Sequence, residues 1–225
     1  MEVNIYFDLD GVLADMEAGL MKNPEIVDLR KIVDDLIQIK FTDYKYLLDD
    51  DIKSKFKSEL ESNPNSEVKE LKKAFNKYTS KVFSIASKPG FYFNLPLMPG
   101  AVEMVQAANE MTGKLSNVLS SPVGDESDEN NPSVKEKRDW VDKHFPSMFN
   151  EVIITSDKGR VVKGKSDILI DDRPKYVEKF TSAGGTAILH TEYKDSISKL
   201  QNILKQFESK KWIMTFESFK NKSKN

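Results

Sequence analysis

From Pro99 onward, short apolar runs alternate with segments of helical period, and that alternation admits few folds. The apolar runs are Lys114–Leu119, Glu151–Thr155, Asp167–Ile170 and Thr186–Leu189. Between them lie Ala101–Met111, introduced by Pro99-Gly100, then Val134–Phe145 with Trp140, Val141 and Phe145, then Pro174–Ala183. The last opens on proline, which suits a first helical turn. Strand and helix in this order build right-handed βαβ units and therefore a parallel sheet. A further strand is predicted at the N-terminus, where Val3, Ile5, Phe7 and Leu9 alternate with Asn4, Tyr6, Asp8 and Asp10 before Gly11. The alternation places the two sets on opposite sides. The expected fold class is α/β, a Rossmann-like parallel sheet core flanked by helices.

Residues 16 to 91 interrupt the alternation. Asn23-Pro24 is a cap followed by a first-turn proline, and Ile26, Val27, Leu29, Val33, Leu36 and Ile37 form one apolar stripe. A second stripe runs through Val68, Leu71, Phe75, Tyr78, Val82 and Phe83, and Asp49, Asp50 and Asp51 precede a shorter helical piece between the two. Pro89-Gly90 and Pro96 mark the return. The expected division is therefore a core of residues 1–15 and 92–225, with an all-helical cap of residues 16–91 inserted after the first strand.

Composition limits the chemistry. The chain has no cysteine and only two histidines, His144 and His190. Disulfides, thiolate metal sites and cysteine nucleophiles are excluded, and a histidine-rich zinc site nearly so. Catalysis must use carboxylates, hydroxyls and amines. A formal charge of −2 argues against a nucleic-acid coat. The acidic N-terminus lacks the form of a signal peptide, and no apolar run approaches a membrane span of roughly 20 residues. A soluble, cytoplasmic protein is expected.

Against that limit, four features converge. Asp8-Leu9-Asp10-Gly11 places two carboxylates where a strand becomes a loop, at the end where α/β sheets bind ligands. Ile168–Ile170 followed by Asp171-Asp172-Arg173-Pro174 repeats the arrangement. A single such acid could be a turn residue or a helix cap. Two pairs make a hard-oxygen site for Mg²⁺. Ser120 and Ser121 place hydroxyls after a third strand, and Lys158 follows a fourth as a point charge fit to hold a phosphate.

This ordered set resembles the haloacid dehalogenase superfamily of phosphatases and, more narrowly, the 5'(3')-deoxyribonucleotidases. The similarity takes in FDLDGVLAD, FYFNLPLMPGAVEMV, SSP, KRDWVDKHF, TSDK and ILIDDRP. The resemblance implies a hydrolase that dephosphorylates deoxyribonucleoside monophosphates with Mg²⁺, Asp8 being the nucleophile and Asp10 the general acid and base. It implies a cation held by Asp8, the Asp10 carbonyl and the Asp171-Asp172 pair. Family alignment selects Asp172 as the direct ligand; the physics of the pair leaves Asp171 equally open. Ser120, Ser121 and Lys158 would bind phosphate, and Lys137, one turn before Trp140, is a candidate for a phosphate or sugar contact. The implied partner is a small nucleotide, with no stable nucleic-acid partner and no membrane, and a homodimer is an allowed assembly. The alternative is a 3'-phosphatase acting on nucleic-acid ends, or a phosphatase of another small phosphomonoester.

Two departures bear on substrate. Relatives commonly carry an aromatic after DGVLAD where this chain has Met16, which could line a base site or simply pack at the hinge. The loop at 124–132 is acidic. Separately, residues 159–166 match G-x-x-x-x-G-K-S, but Ser166 leads straight into an expected strand, so no helix opens on Lys165-Ser166 and a nucleotide-triphosphate loop is rejected.

Overall fold

A computed structural model describes residues 2–40, 66–128 and 130–222. The acidic run Asp49–Asp51 lies outside the described residues. Five strands, β1 (Asn4–Phe7), β2 (Ser116–Ser120), β3 (Phe149–Ile154), β4 (Asp167–Asp171) and β5 (Thr186–Leu189), form one sheet in the order β3-β2-β1-β4-β5. All four pairings are parallel, with Phe7 opposite Val118 on one side and Ile170 on the other. This is the Rossmann-like α/β fold, and β1 is its middle strand.

The alternation in β1 is deceptive. Ile5, Tyr6, Phe7, Asp8 and Leu9 are all buried, although the pattern of polar and apolar residues suggests one wet face. A central parallel strand is covered on both faces by crossover helices. Tyr6 packs with Leu119, Leu169 and Phe180 on one face. On the other, Phe7 meets the edge of Phe149, which meets Phe145 and through it Trp140.

The chain divides into two compact units. The first comprises residues 1–15, 97–122 and 138–225 and carries the sheet. The second comprises residues 16–96 together with 123–137. It holds α1 (Met16–Leu20), α2 (Pro24–Lys40) and α3 (Ser66–Ala86). Its core is Leu20, Ile26, Leu29, Val33, Leu71, Phe75, Tyr78 and Ile85. Val27 and Phe83, assigned above to the apolar stripes, are instead 44% and 56% exposed. Each stands about 100° around its helix from a neighbour that packs inward, buried Ile26 or partly buried Val82, as 3.6-residue periodicity requires.

The stretch at 123–137 belongs with the second unit for a specific reason. The Glu136 carboxylate accepts the amides of Gly90, Tyr92 and Phe93, binding the short 3-10 turn Tyr92–Asn94. The acidic loop is also internally tied: Asp125 accepts from Ser127, Asp128 from the Asn130 amide, and Asn131 donates to the Val123 and Asp125 carbonyls. In the first unit α4 (Ala101–Thr112) has left-handed glycines at both ends, Gly100 and Gly113. Among the described residues the remaining α-helices are α5 (Pro132–His144), which spans both stretches, α6 (Pro174–Ser182) and α7 (Tyr193–Lys222). Lys165 and Ser166 precede β4 with no intervening helix, so the geometry of a nucleotide-triphosphate loop is absent there.

Candidate active site

The carboxyl ends of β1 and β4 bring three acids together. Asp8, Asp171 and Asp172 each offer a carboxylate oxygen, and these oxygens all lie within 4.8 Å of one another. The parallel pairing of Phe7 with Ile170 brings this about: one residue further, both strands deliver an acid. The Asp8 amide donates to the Ile170 carbonyl at 2.9 Å, fixing the register at the point of use.

Gly11 makes the approach possible. Its φ is +79°, and a Cβ there would stand 2.3 Å from Asp172 Oδ2. Only glycine allows both that backbone and that contact. The loop 9–15 is closed by Leu13 and Ala14 amides donating to the Leu9 carbonyl and by the Gly11 amide donating to Ala14.

Lys158 supplies the positive charge. It opens the 3-10 turn Lys158–Val161, which Asp157 caps by accepting the Gly159 amide. Its side chain is fully buried, with Nζ 2.8 Å from Asp8 Oδ1 and 2.6 Å from Asp171 Oδ2. Burial is the largest single influence on this amine and works against its charge, but Asp8 and Asp171 outweigh it and hold its pKa above the ordinary value.

The acids are pushed the other way. Burial, then the Asp8 charge, raises Asp171 to about 6 even though Lys158 and the Arg173 amide oppose the shift. Burial, then the charges of Asp8 and Asp171, raises Asp172 to about 8. Asp171 is engaged by Lys158 and by the Arg173 amide at 2.9 Å, whereas Asp172 Oδ1 is buried with no hydrogen-bond partner. An orphaned carboxylate oxygen beside two further acids, all oxygen donors, fits a hard divalent cation.

Ser120 ends β2 fully buried, at the same end of the sheet, and its carbonyl accepts the Thr155 amide. Ser121 begins the following loop. Asp10 lies two residues beyond Asp8 and bridges to Ala14, and its carboxylate is outside the three-acid group. Met16 and Lys137 belong to the second unit. Met16 packs against that unit's apolar core, and Lys137 is fully buried with Nζ 4.5 Å from the centre of the Tyr92 ring. Sequence reasoning missed Tyr176, whose ring faces Lys158 Nζ at 4.5 Å, and Thr155, fully buried beneath the Asp157 amide. An aromatic on the first turn of a helix carries no local signal of a distant lysine.

With this geometry in place, comparison is informative. Residues 26–207 match the family described as "5' nucleotidase, deoxy (Pyrimidine), cytosolic type C protein". That stretch begins after Asp8 and Asp10 and includes Ser120, Lys158, Asp171 and Asp172. The chain is 29% identical over 173 residues to the human cytosolic 5'(3')-deoxyribonucleotidase, an alignment covering 76% of this chain and 71% of that one. It is 28% identical over 177 residues to the mouse mitochondrial 5'(3')-deoxyribonucleotidase, covering 76% of this chain and 65% of the relative. The alignments thus span about two thirds of the length of these relatives. A haloacid dehalogenase-like family hydrolase from Xanthomonas campestris superposes with a TM-score of 0.48 at 12% identity, over 93% of this chain and 94% of that one.

Proposed function

We propose, from the premise that the chain belongs to the family of 5' nucleotidases (deoxy, pyrimidine) of cytosolic type C, that it hydrolyses deoxyribonucleoside monophosphates. It is a phosphoric monoester hydrolase whose chemistry runs through an aspartyl-phosphate. The observation that carries this reading is the convergence of Asp8, Asp171 and Asp172 with buried Lys158 at the carboxyl end of the sheet.

Asp8 attacks phosphorus, forming an acyl phosphate as the ester P–O bond breaks. Asp10 gives its proton to the departing nucleoside oxygen, then takes one from the water that cleaves the acyl phosphate. Inorganic phosphate leaves and Asp8 is restored. Ser120, Ser121 and Lys158 hold the non-bridging oxygens, where charge spreads during transfer. Asp8, Asp172 and the Asp10 carbonyl are the proposed ligands of Mg²⁺, with Asp171 oriented by Lys158. The orphaned Asp172 oxygen supports Asp172 over Asp171 as the direct ligand. Bound there, Mg²⁺ supplies charge neutralisation between the carboxylates and the phosphate. Met16 and Lys137 are proposed as contacts to the nucleoside and phosphate only secondarily, since each already packs within the second unit. The proposed partner is a free nucleotide, in the cytoplasm. Among the described residues no helix is long and apolar enough to cross a membrane.

Phosphate release measured on a panel of ribo- and deoxyribonucleoside 5'- and 3'-monophosphates, alongside a 3'-phosphorylated oligonucleotide, tests the reading. Turnover of dUMP or dTMP is expected, abolished by EDTA and restored by Mg²⁺. Exclusive turnover of the oligonucleotide would replace the proposal with end processing.

The raised acids predict a pH signature. Asp171 and Asp172 hold protons more tightly in the folded chain than in the unfolded one, so they subtract stability as pH rises from the ordinary value of 3.8 toward about 8. The Tm of EDTA-treated protein should fall between pH 5 and 8, and the Mg²⁺-induced rise in Tm should grow over the same window. A Mg²⁺ shift that shrank with rising pH would count against a carboxylate site.

A further inference from the structure

Three cations surround one ring. Tyr176 lies on the first turn of α6, with Lys158 Nζ, Lys175 Nζ and Arg173 Cζ at 4.5, 5.0 and 5.8 Å from its centroid. Lys158 is the nearest of the three and, at 1% exposure, the only one buried. Cation–π attraction is strongest when the cation is removed from water.

The donor inventory of Lys158 gives this contact a purpose. An ammonium has three N–H donors and no acceptor. One reaches Asp171 Oδ2 at 2.6 Å, and a second faces Asp8 Oδ1 at 2.8 Å. The Tyr176 ring, its centre 4.5 Å from Nζ, is a further contact of the ammonium. Asp8 is the group to which a phosphoryl group must come, so the donor facing Asp8 is the one free to change partner. Asp171 and Tyr176 are the two contacts that persist while it does so.

We propose that Tyr176 is a positioning residue for Lys158: its ring, with Asp171, holds the ammonium still while the ion-pair contact with Asp8 gives way to an incoming phosphoryl oxygen. The role belongs to the ring and not to the phenol hydroxyl. It deepens the phosphatase reading and rests on it.

Tyr176→Phe keeps the ring, whereas Tyr176→Leu and Tyr176→Met fill the space without one. In lysine-labelled protein the Lys158 ε-methylene signal, assigned by its loss in Lys158→Met, should be shifted upfield by the ring current. That shift should survive in the Phe variant and vanish in the Leu and Met variants. With dUMP and Mg²⁺, kcat of the Leu and Met variants should fall about tenfold, with KM within about twofold of wild type. Tyr176→Phe should restore kcat. An active wild type whose Leu or Met variant keeps full kcat, or whose Phe variant loses as much as they do, overturns the positioning role. A Lys158 signal with no upfield shift in the wild type overturns the contact itself. A wild type inactive on every phosphomonoester, with the ring-current shift present, instead defeats the phosphatase reading.

Discussion

Asp8→Asn should abolish phosphate release from dUMP, lowering turnover by about ten-thousandfold or more, as loss of a covalent nucleophile does in other hydrolases. Asparagine matches aspartate in shape but cannot form the acyl phosphate. The variant should fold. Asp8 is one of the charges that push Asp171 and Asp172 upward, so removing it relieves repulsion in the cation-free protein. The expected pair of results is therefore lost turnover with a Tm at or above that of the EDTA-treated wild type. Retained turnover within about tenfold of wild type would dismiss Asp8 as the nucleophile.

Lys158→Met should be strongly damaging to stability. Methionine fills the lysine's volume but leaves Asp8 and Asp171 buried without their common counter-charge. Removing one partner from a buried ion pair costs about 3–5 kcal/mol. In a chain of this size that is a fall of roughly 10 °C in Tm. Saturating Mg²⁺ should recover part of it, because a cation on the same carboxylates replaces some of the lost charge. Turnover should not recover, since nothing then holds the phosphoryl oxygens in its place. Calorimetry of the variant with and without Mg²⁺ decides the matter, and a variant as stable as wild type would show that Lys158 does not balance these acids.

Much of the fold was legible because parallel strands and their crossover helices leave local signatures. The run Thr186–Leu189 coincides with β5, and Pro174 opens α6. The acids could also be read locally, since each closes an apolar run and each run ends on the same side of the sheet. What escaped reading depends on contacts between distant residues. Tyr6 shares its side of the strand with polar Asn4 and Asp8 but lies under Phe180 of α6. Glu136 looks like an exposed helical acid, yet it accepts amides more than 40 residues away, from Gly90 to Phe93. Val27 and Phe83 are apolar but sit one step around the helix from the packed line. Hydrophobicity marks a residue as able to pack; angular position decides whether it does.

The middle position of β1 has a kinetic consequence. Its pairing with β4 joins residues as far apart as Asn4 and Asp167, 163 positions along the chain. Its pairing with β2 must close over the whole helical insertion. Sheets with such non-local pairings fold slowly, because the entropy of closing long loops is lost before the contacts form. As the chain leaves the ribosome, β1 keeps one edge unsatisfied until β2 has emerged and the other until β4 has, which makes it a segment for chaperones to shield. Asp8 and Asp171 meet only when that last central pairing is made. The three-acid site is thus withheld from every chain that has not yet reached β4.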